Sequence, residues 1–204
     1  MTRTSVARCD WVVARQMPSY VTKGLYKIVA IALGAVRGAF VRAKLMLVWD
    51  IGRGCRFQGP VHVYSLGGNV TIGDEVTFGP HVNVSAETGA TLTIGSRCSI
   101  NQGSYVVAKR SIAIGNDVLI GEYVSIRDND HEWRNPVESI RTQGFVTKPV
   151  SISDDVWVGR SAVISKGVTI GRGAVIGAGA VVTKDIPAYA IAVGNPARVI
   201  KHRG

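Results

Sequence analysis

Ile152-Ser-Asp-Asp-Val-Trp, Val158-Gly-Arg-Ser-Ala-Val, Ile164-Ser-Lys-Gly-Val-Thr, Ile170-Gly-Arg-Gly-Ala-Val, Ile176-Gly-Ala-Gly-Ala-Val and Val182-Thr-Lys-Asp-Ile-Pro follow one another without a break, so residues 152–187 repeat every six positions. Each unit opens on an aliphatic residue. Its fifth place is small or β-branched, as at Val156, Ala162, Val168, Ala174, Ala180 and Ile186, and the places between are mostly Gly or polar. Two inward side chains in six residues do not fit the helical period. They fit one flat side of a coiled solenoid, in which each short strand turns a corner and stacks on the coil below.

The same register extends towards the N-terminus with gaps. Coils begin at Ile51, Ile72, Ile94, Ile114, Ile152 and Ile170, spaced by 21, 22, 20, 38 and 18 residues. Eighteen is three uninterrupted sides. All the excess falls after the third side, at one edge of the prism, and its largest instance is a loop over residues 128–149. A long loop on a rigid scaffold is where function concentrates.

Residues 1–50 precede the repeats and carry eight Lys/Arg against two acids, within a chain of net charge +10. From Thr22 a helix is predicted. At a hundred degrees per residue Lys23, Lys27, Arg37, Arg42 and Lys44 share one side, and Leu25, Ile28, Val29, Ala32, Val36, Ala39, Ala43, Met46 and Leu47 take the other. Its charge-free run, Ile28 to Val36, is far short of the roughly eighteen apolar residues of a membrane span. The segment 22–49 therefore caps the open end of the solenoid or packs in an oligomer, lies on a membrane surface as a peripheral contact, or does both.

A hydrophobic content of 46% supports a packed core, and no motif of nucleic-acid readers occurs. Cys9, Cys55 and Cys98 lack metal-type spacing; two of them take the small fifth place of a unit, which fits buried thiols in a reducing cytoplasm. A secretory leader layout is lacking, so a cytoplasmic protein is expected. The predicted organisation is an N-terminal basic segment (1–50), a solenoid (51–187) and a tail (188–204).

The Ile-Gly hexapeptides, the loop opened by Asp130-His131-Glu132-Trp133, the segment Pro149-Val-Ser-Ile-Ser-Asp-Asp-Val-Trp-Val-Gly and the tail from Val182-Thr-Lys-Asp-Ile-Pro to Gly194-Asn-Pro-Ala-Arg-Val-Ile-Lys resemble the hexapeptide-repeat acyltransferases. Within them the match is to the sugar O-acetyltransferases, including galactoside, maltose and polysaccharide enzymes. The resemblance implies a left-handed parallel β-helix of about six coils, a homotrimer with active sites at subunit interfaces, and acetyl-CoA as donor. The left hand comes from the resemblance, because parallel crossovers are normally right-handed.

Acyl transfer to a hydroxyl needs a base, donors for an oxyanion and a groove for the CoA arm. Of four histidines, His202 lies in the tail and His62 and His81 on coil surfaces, while His131 stands at the mouth of the loop and matches the family's catalytic base. Asp128, Asp130 and Glu122 are its candidate orienting carboxylates. Asn101 matches a family asparagine beside the acceptor. By the resemblance Trp157 flanks the pantetheine, the backbone of Gly159 and Arg160 faces the thioester oxygen, Gly177, Ala178, Gly179, Thr183 and Lys184 line the lower groove, and Arg198 and Lys201 meet phosphates. Trp133, Arg134 and Arg141 form either an acceptor platform with an anion clamp or the packing of the loop.

The expected activity is transfer of an acetyl group to a saccharide hydroxyl in surface polysaccharide or lipopolysaccharide synthesis. N-acetylation of an amino sugar and a non-enzymatic scaffold are its rivals. A zinc site needs converging histidines, whose spacing does not occur here, so no metal is expected.

Overall fold

The computed structural model describes Leu45 and residues 49–204. The predicted helix from Thr22 falls outside them apart from its last positions. Leu45 and Trp49 are both buried in the main core cluster, and the Trp49 N–H donates to the Leu45 carbonyl at 2.9 Å, a helical spacing. Leu45 was not on the apolar stripe read from the sequence. The other positions of that segment lie outside the described residues.

From Asp50 the chain winds a triangular solenoid with three faces of parallel strands. The first face stacks Asp50–Ile51, Asn69–Ile72, Thr91–Ile94, Ser111–Ile114, Val150–Ile152 and Thr169–Ile170, so the six coil-opening isoleucines lie directly over one another. The second face runs from Arg56–Phe57 through Thr77–Phe78, Ser99–Ile100, Leu119–Ile120, Trp157–Val158 and Val175–Ile176. The third holds Val61–His62, Val82–Ala86, Tyr105–Ala108, Ser125–Arg127, Val163–Ile164 and Val181–Val182. Inward positions form one column of aliphatic side chains, widest at the first coils, where the Phe57 and Phe78 rings stack at 5.1 Å, and narrowing to Ala192. Cys55 and Cys98 sit in that column, 7% and 2% exposed.

Corners explain the spacing of the motif. At the first-to-second edge Gly54, Glu75, Arg97, Asp117, Asp155 and Gly173 all have positive φ, and at the second-to-third edge so do His81, Gly103, Tyr123, Ser161 and Gly179. A non-glycine residue in this region costs roughly 1 kcal/mol or more. The cost is offset coil by coil: Arg97 N–H donates to the Asp74 carbonyl, Asp117 to Ser96 and Asp155 to Asn116, at 2.8–3.0 Å, so a polar group that a corner would orphan is satisfied by the coil beneath. The glycine after each isoleucine has a different cause. A Cβ on Gly95 would stand 2.4 Å from the Gly115 carbonyl oxygen, and one on Gly121 would stand 2.7 Å from the Arg160 nitrogen.

The third-to-first edge absorbs the insertions, as the coil spacing required. Residues 128–149 leave there, but they are not structureless: Asn129–His131 pairs antiparallel with Phe145–Thr147, and a 3-10 turn covers Ile140–Thr142. Residues 188–204, read as a tail, also continue the architecture. Ala190–Val193 adds a seventh parallel strand to the second face, and Arg198–His202 closes it antiparallel. No helix among the described residues is long and apolar enough to cross a membrane.

Candidate active site

His131 ends the first strand of the loop hairpin, opposite Phe145. The two rings meet at 4.5 Å and 38°, and the Lys109 ammonium lies 3.9 Å from the centroid of Phe145 while pairing with Glu87. Among the described residues neither imidazole nitrogen has a hydrogen-bond partner. The ring is oriented by Phe145 and exposed, which leaves a nitrogen lone pair open to an incoming proton.

None of the three candidate carboxylates orients it. Asp128 is fully buried, and its carboxylate accepts the backbone N–H groups of Lys109, Arg110 and Ser111 at 2.7–2.8 Å. Its carbonyl accepts Lys148 N–H at 2.8 Å, so Asp128 ties both ends of the loop to the coil below. Asp130 pairs with Lys166. Glu122 lies on the second-to-third edge, where its carbonyl accepts Ser161 N–H at 2.8 Å.

Asn101 stands on that same second-to-third edge, its side-chain oxygen 3.4 Å from the Ser99 hydroxyl, in the coil before the one that bears the loop. Arg160 and Gly177–Gly179 occupy the equivalent corner of later coils. Trp157 lies on the second face between Leu119 and Val175, 55% exposed with its ring outward. Thr183 and Lys184 follow the last strand of the third face, near the edge that carries the loop, and Arg198 and Lys201 project from the closing antiparallel strand. One chain therefore distributes the expected residues over two edges of the prism, with the third face between His131 and Asn101.

The backbone donors are narrower than the sequence suggested. Gly159 N–H is already given to the Ile176 carbonyl at 2.7 Å and Gly177 N–H to Ala192 at 2.8 Å, so neither is available to an oxyanion. The N–H groups of Arg160 and Ala178 have no acceptor among the described residues, and they occupy the same corner position in successive coils. Gly159 and Gly177 are also explained by stacking, since a Cβ at either would meet the next coil within 2.8 Å. Gly179, at φ 68°, faces open space. The Arg160 guanidinium lies over the Tyr123 ring at 5.6 Å.

In the loop Trp133 is 64% exposed and packs on no other ring among the described residues. Arg134, exposed, pairs with Glu132 through Nη1 at 2.9 Å. The Arg134 and Trp133 backbone N–H groups, both donated to Glu132, hold its carboxyl below the usual carboxylate range. Arg141 stands on the 3-10 turn, exposed. His62 and His81, on coil surfaces as read, are exposed and stack on each other at 5.5 Å, with Nε2 and Nδ1 3.3 Å apart. The cluster of Glu87, Lys109 and Phe145 beside His131 carried no signal in the sequence, because its members come from three separate insertions at one edge.

The bacterial transferase hexapeptide family model, of six repeats, matches residues 149–184. The chain is 43% identical over 122 residues to polysialic acid O-acetyltransferase of Escherichia coli O1:K1 / APEC, covering 58% of this chain and 39% of that protein. It is 38% identical over 132 residues to galactoside O-acetyltransferase of Escherichia coli K12, covering 64% and 63%. Among solved structures, a maltose O-acetyltransferase from Clostridium difficile 630 superposes with a TM-score of 0.55 at 30% identity, over 74% of this chain and 71% of that one. The chain spans about half the length of the curated relatives it matches.

Proposed function

We propose that this chain, which belongs to the hexapeptide-repeat acyltransferases and has their left-handed β-helical fold, transfers an acetyl group from acetyl-CoA to a hydroxyl of a saccharide. The observation that carries the reading is the His131 imidazole, held by Phe145 at the mouth of the loop and free at both nitrogens among the described residues. His131 takes the proton of the acceptor hydroxyl as its oxygen attacks the thioester carbon. Arg160 N–H, aided by Ala178 N–H one coil on, faces the carbonyl oxygen as it gains charge. When the carbon–sulfur bond breaks, the imidazolium returns the same proton to the thiolate, so the histidine ends as it began.

Trp157, Gly179, Thr183, Lys184, Arg198 and Lys201 serve the donor on this reading. Trp157 offers an exposed ring to the pantetheine, Gly179 leaves room for close approach, and the cations meet phosphates. Asn101, Trp133 and Arg141 serve the acceptor. Because His131 and Asn101 stand on different edges of one prism, a complete site takes one edge from each of two chains, which a homotrimer supplies three times over by symmetry. The kinship with a polysialic acid O-acetyltransferase supports a polysaccharide or lipopolysaccharide acceptor. The basic segment 22–49 would bring the enzyme to an anionic membrane surface where such acceptors are carried.

Release of free thiol from acetyl-CoA over a panel of saccharides tests this, with each hydroxyl acceptor matched by its amino-sugar analogue. Turnover on the hydroxyl members supports the proposal. Turnover confined to the amines would make the enzyme an N-acetyltransferase, and no binding of acetyl-CoA at all would leave a scaffold.

A further inference from the structure

On the third face, one to three coils before the loop, lies a cavity of about 400 Å³ lined by Tyr64, Ser65, Ser85, Glu87, Thr88 and Val107. It is an open cleft on the surface of the prism. It exists because the chain after Val61–His62 lifts away from the face in the first insertion. The lifted backbone is pinned from below: the fully buried Ser85 hydroxyl accepts the N–H groups of Tyr64 and Ser65 at 2.7 and 3.2 Å.

Tyr64 then lies across the face, 68% exposed, its ring stacked on Tyr105 at 5.8 Å, and the Arg127 guanidinium sits 4.5 Å over Tyr105. Burial first, and then the Tyr64 hydroxyl, raise the Tyr105 phenol above its ordinary pKa. The result is a ladder of two aromatic rings and a guanidinium that climbs from the first coil to the fourth and ends one residue before Asp128. Rings flanked by hydroxyls and a carboxylate match a pyranose, which presents apolar C–H faces and a rim of hydroxyls.

The cavity is joined to His131 by contacts and yet separate from it. Glu87 lines it and pairs with Lys109, Lys109 lies over Phe145, and Phe145 stacks on His131. The cavity thus reaches the imidazole through three successive side-chain contacts, which leaves room for the reacting hydroxyl to belong to a neighbouring sugar unit. We infer that the cavity and the Tyr64–Tyr105–Arg127 ladder form a subsite for a further sugar unit of the acceptor, which makes the natural acceptor an oligosaccharide or polysaccharide rather than a single sugar. The identity of the ligand as a saccharide rests on the function proposed above, but its binding here does not require transfer.

The test is binding of the full chain to an array of defined mono- to hexasaccharides, with the Tyr64→Ala and Tyr64→Phe variants alongside, each checked for an unchanged melting curve. Longer members should bind better than their single-sugar ends. Tyr64→Ala should lose about tenfold of that binding, the order expected for one aromatic contact, while Tyr64→Phe keeps it. Equal binding of single sugars and oligomers, equal binding by Tyr64→Ala, or no bound glycan on the array would overturn the subsite. Oligosaccharide bound through Tyr64 without any thiol release from acetyl-CoA would uphold the subsite and defeat the acetyl-transfer reading instead.

Discussion

Asp128 shows what a single residue does here and why its role was hidden. Three carboxylates close in sequence to His131 were equivalent candidates to orient it, since acceptance of backbone N–H groups leaves no mark on a sequence. The fold assigns Asp128 to the neck of the loop, where it satisfies three N–H groups at once. Removing a buried acceptor leaves its donors unsatisfied at roughly 1–3 kcal/mol each, so Asp128→Ala should cost about 3 kcal/mol or more in chemical denaturation. Asp128→Asn, with one acceptor oxygen left, should lose less. Cys98 was legible as a buried thiol from its place in the unit. Burial raises its pKa above the ordinary range, and its thiol lies 3.1 Å from the Gly115 carbonyl, to which it donates. Because the thiolate is the reactive form, Cys98 should resist alkylation at neutral pH in the folded protein and react on denaturation, read peptide by peptide in mass spectra.

At the scale of elements, the strands and corners followed directly from the six-residue period, since each coil repeats the same inward column and the same satisfied turns. The loop did not. Its hairpin pairs Asn129–His131 with Phe145–Thr147 across an interval with no alternation to announce it, and Arg134 pairs with Glu132 inside it. Since Glu132 N–H already donates to the Gly144 carbonyl at 3.0 Å, the hairpin can be closed there. Replacing residues 133–143 by a short turn should leave circular dichroism and melting nearly unchanged while impairing acceptor use, with KM for acetyl-CoA retained. Gly95→Ala should do the opposite. Its Cβ would stand 2.4 Å from the Gly115 oxygen, and overpacking of this kind costs about 1–3 kcal/mol, so the melting temperature should fall.

The described residues form a triangular prism whose expected functional residues lie mainly along two edges. The coil spacing predicted one busy edge, the one that carries the loop. That Asn101, Arg160 and Ala178 share a second edge is visible only once the coils are stacked. If each site is shared by neighbouring chains, co-refolding His131→Ala with Asn101→Ala in equal amounts should regenerate intact sites, giving about a quarter of wild-type activity by random assortment. Two inactive variants that stay inactive on mixing would place the whole site within one chain.

The most direct test of the central claim is the rate of thiol release from acetyl-CoA on a saccharide acceptor, by wild type and by His131→Ala, with donor binding measured in both. Loss of the general base should lower kcat by about 10²–10⁴ at unchanged donor affinity. A folded His131→Ala enzyme that keeps its turnover within a factor of a few would contradict the account, for the imidazole at the mouth of the loop would then have no part in the chemistry.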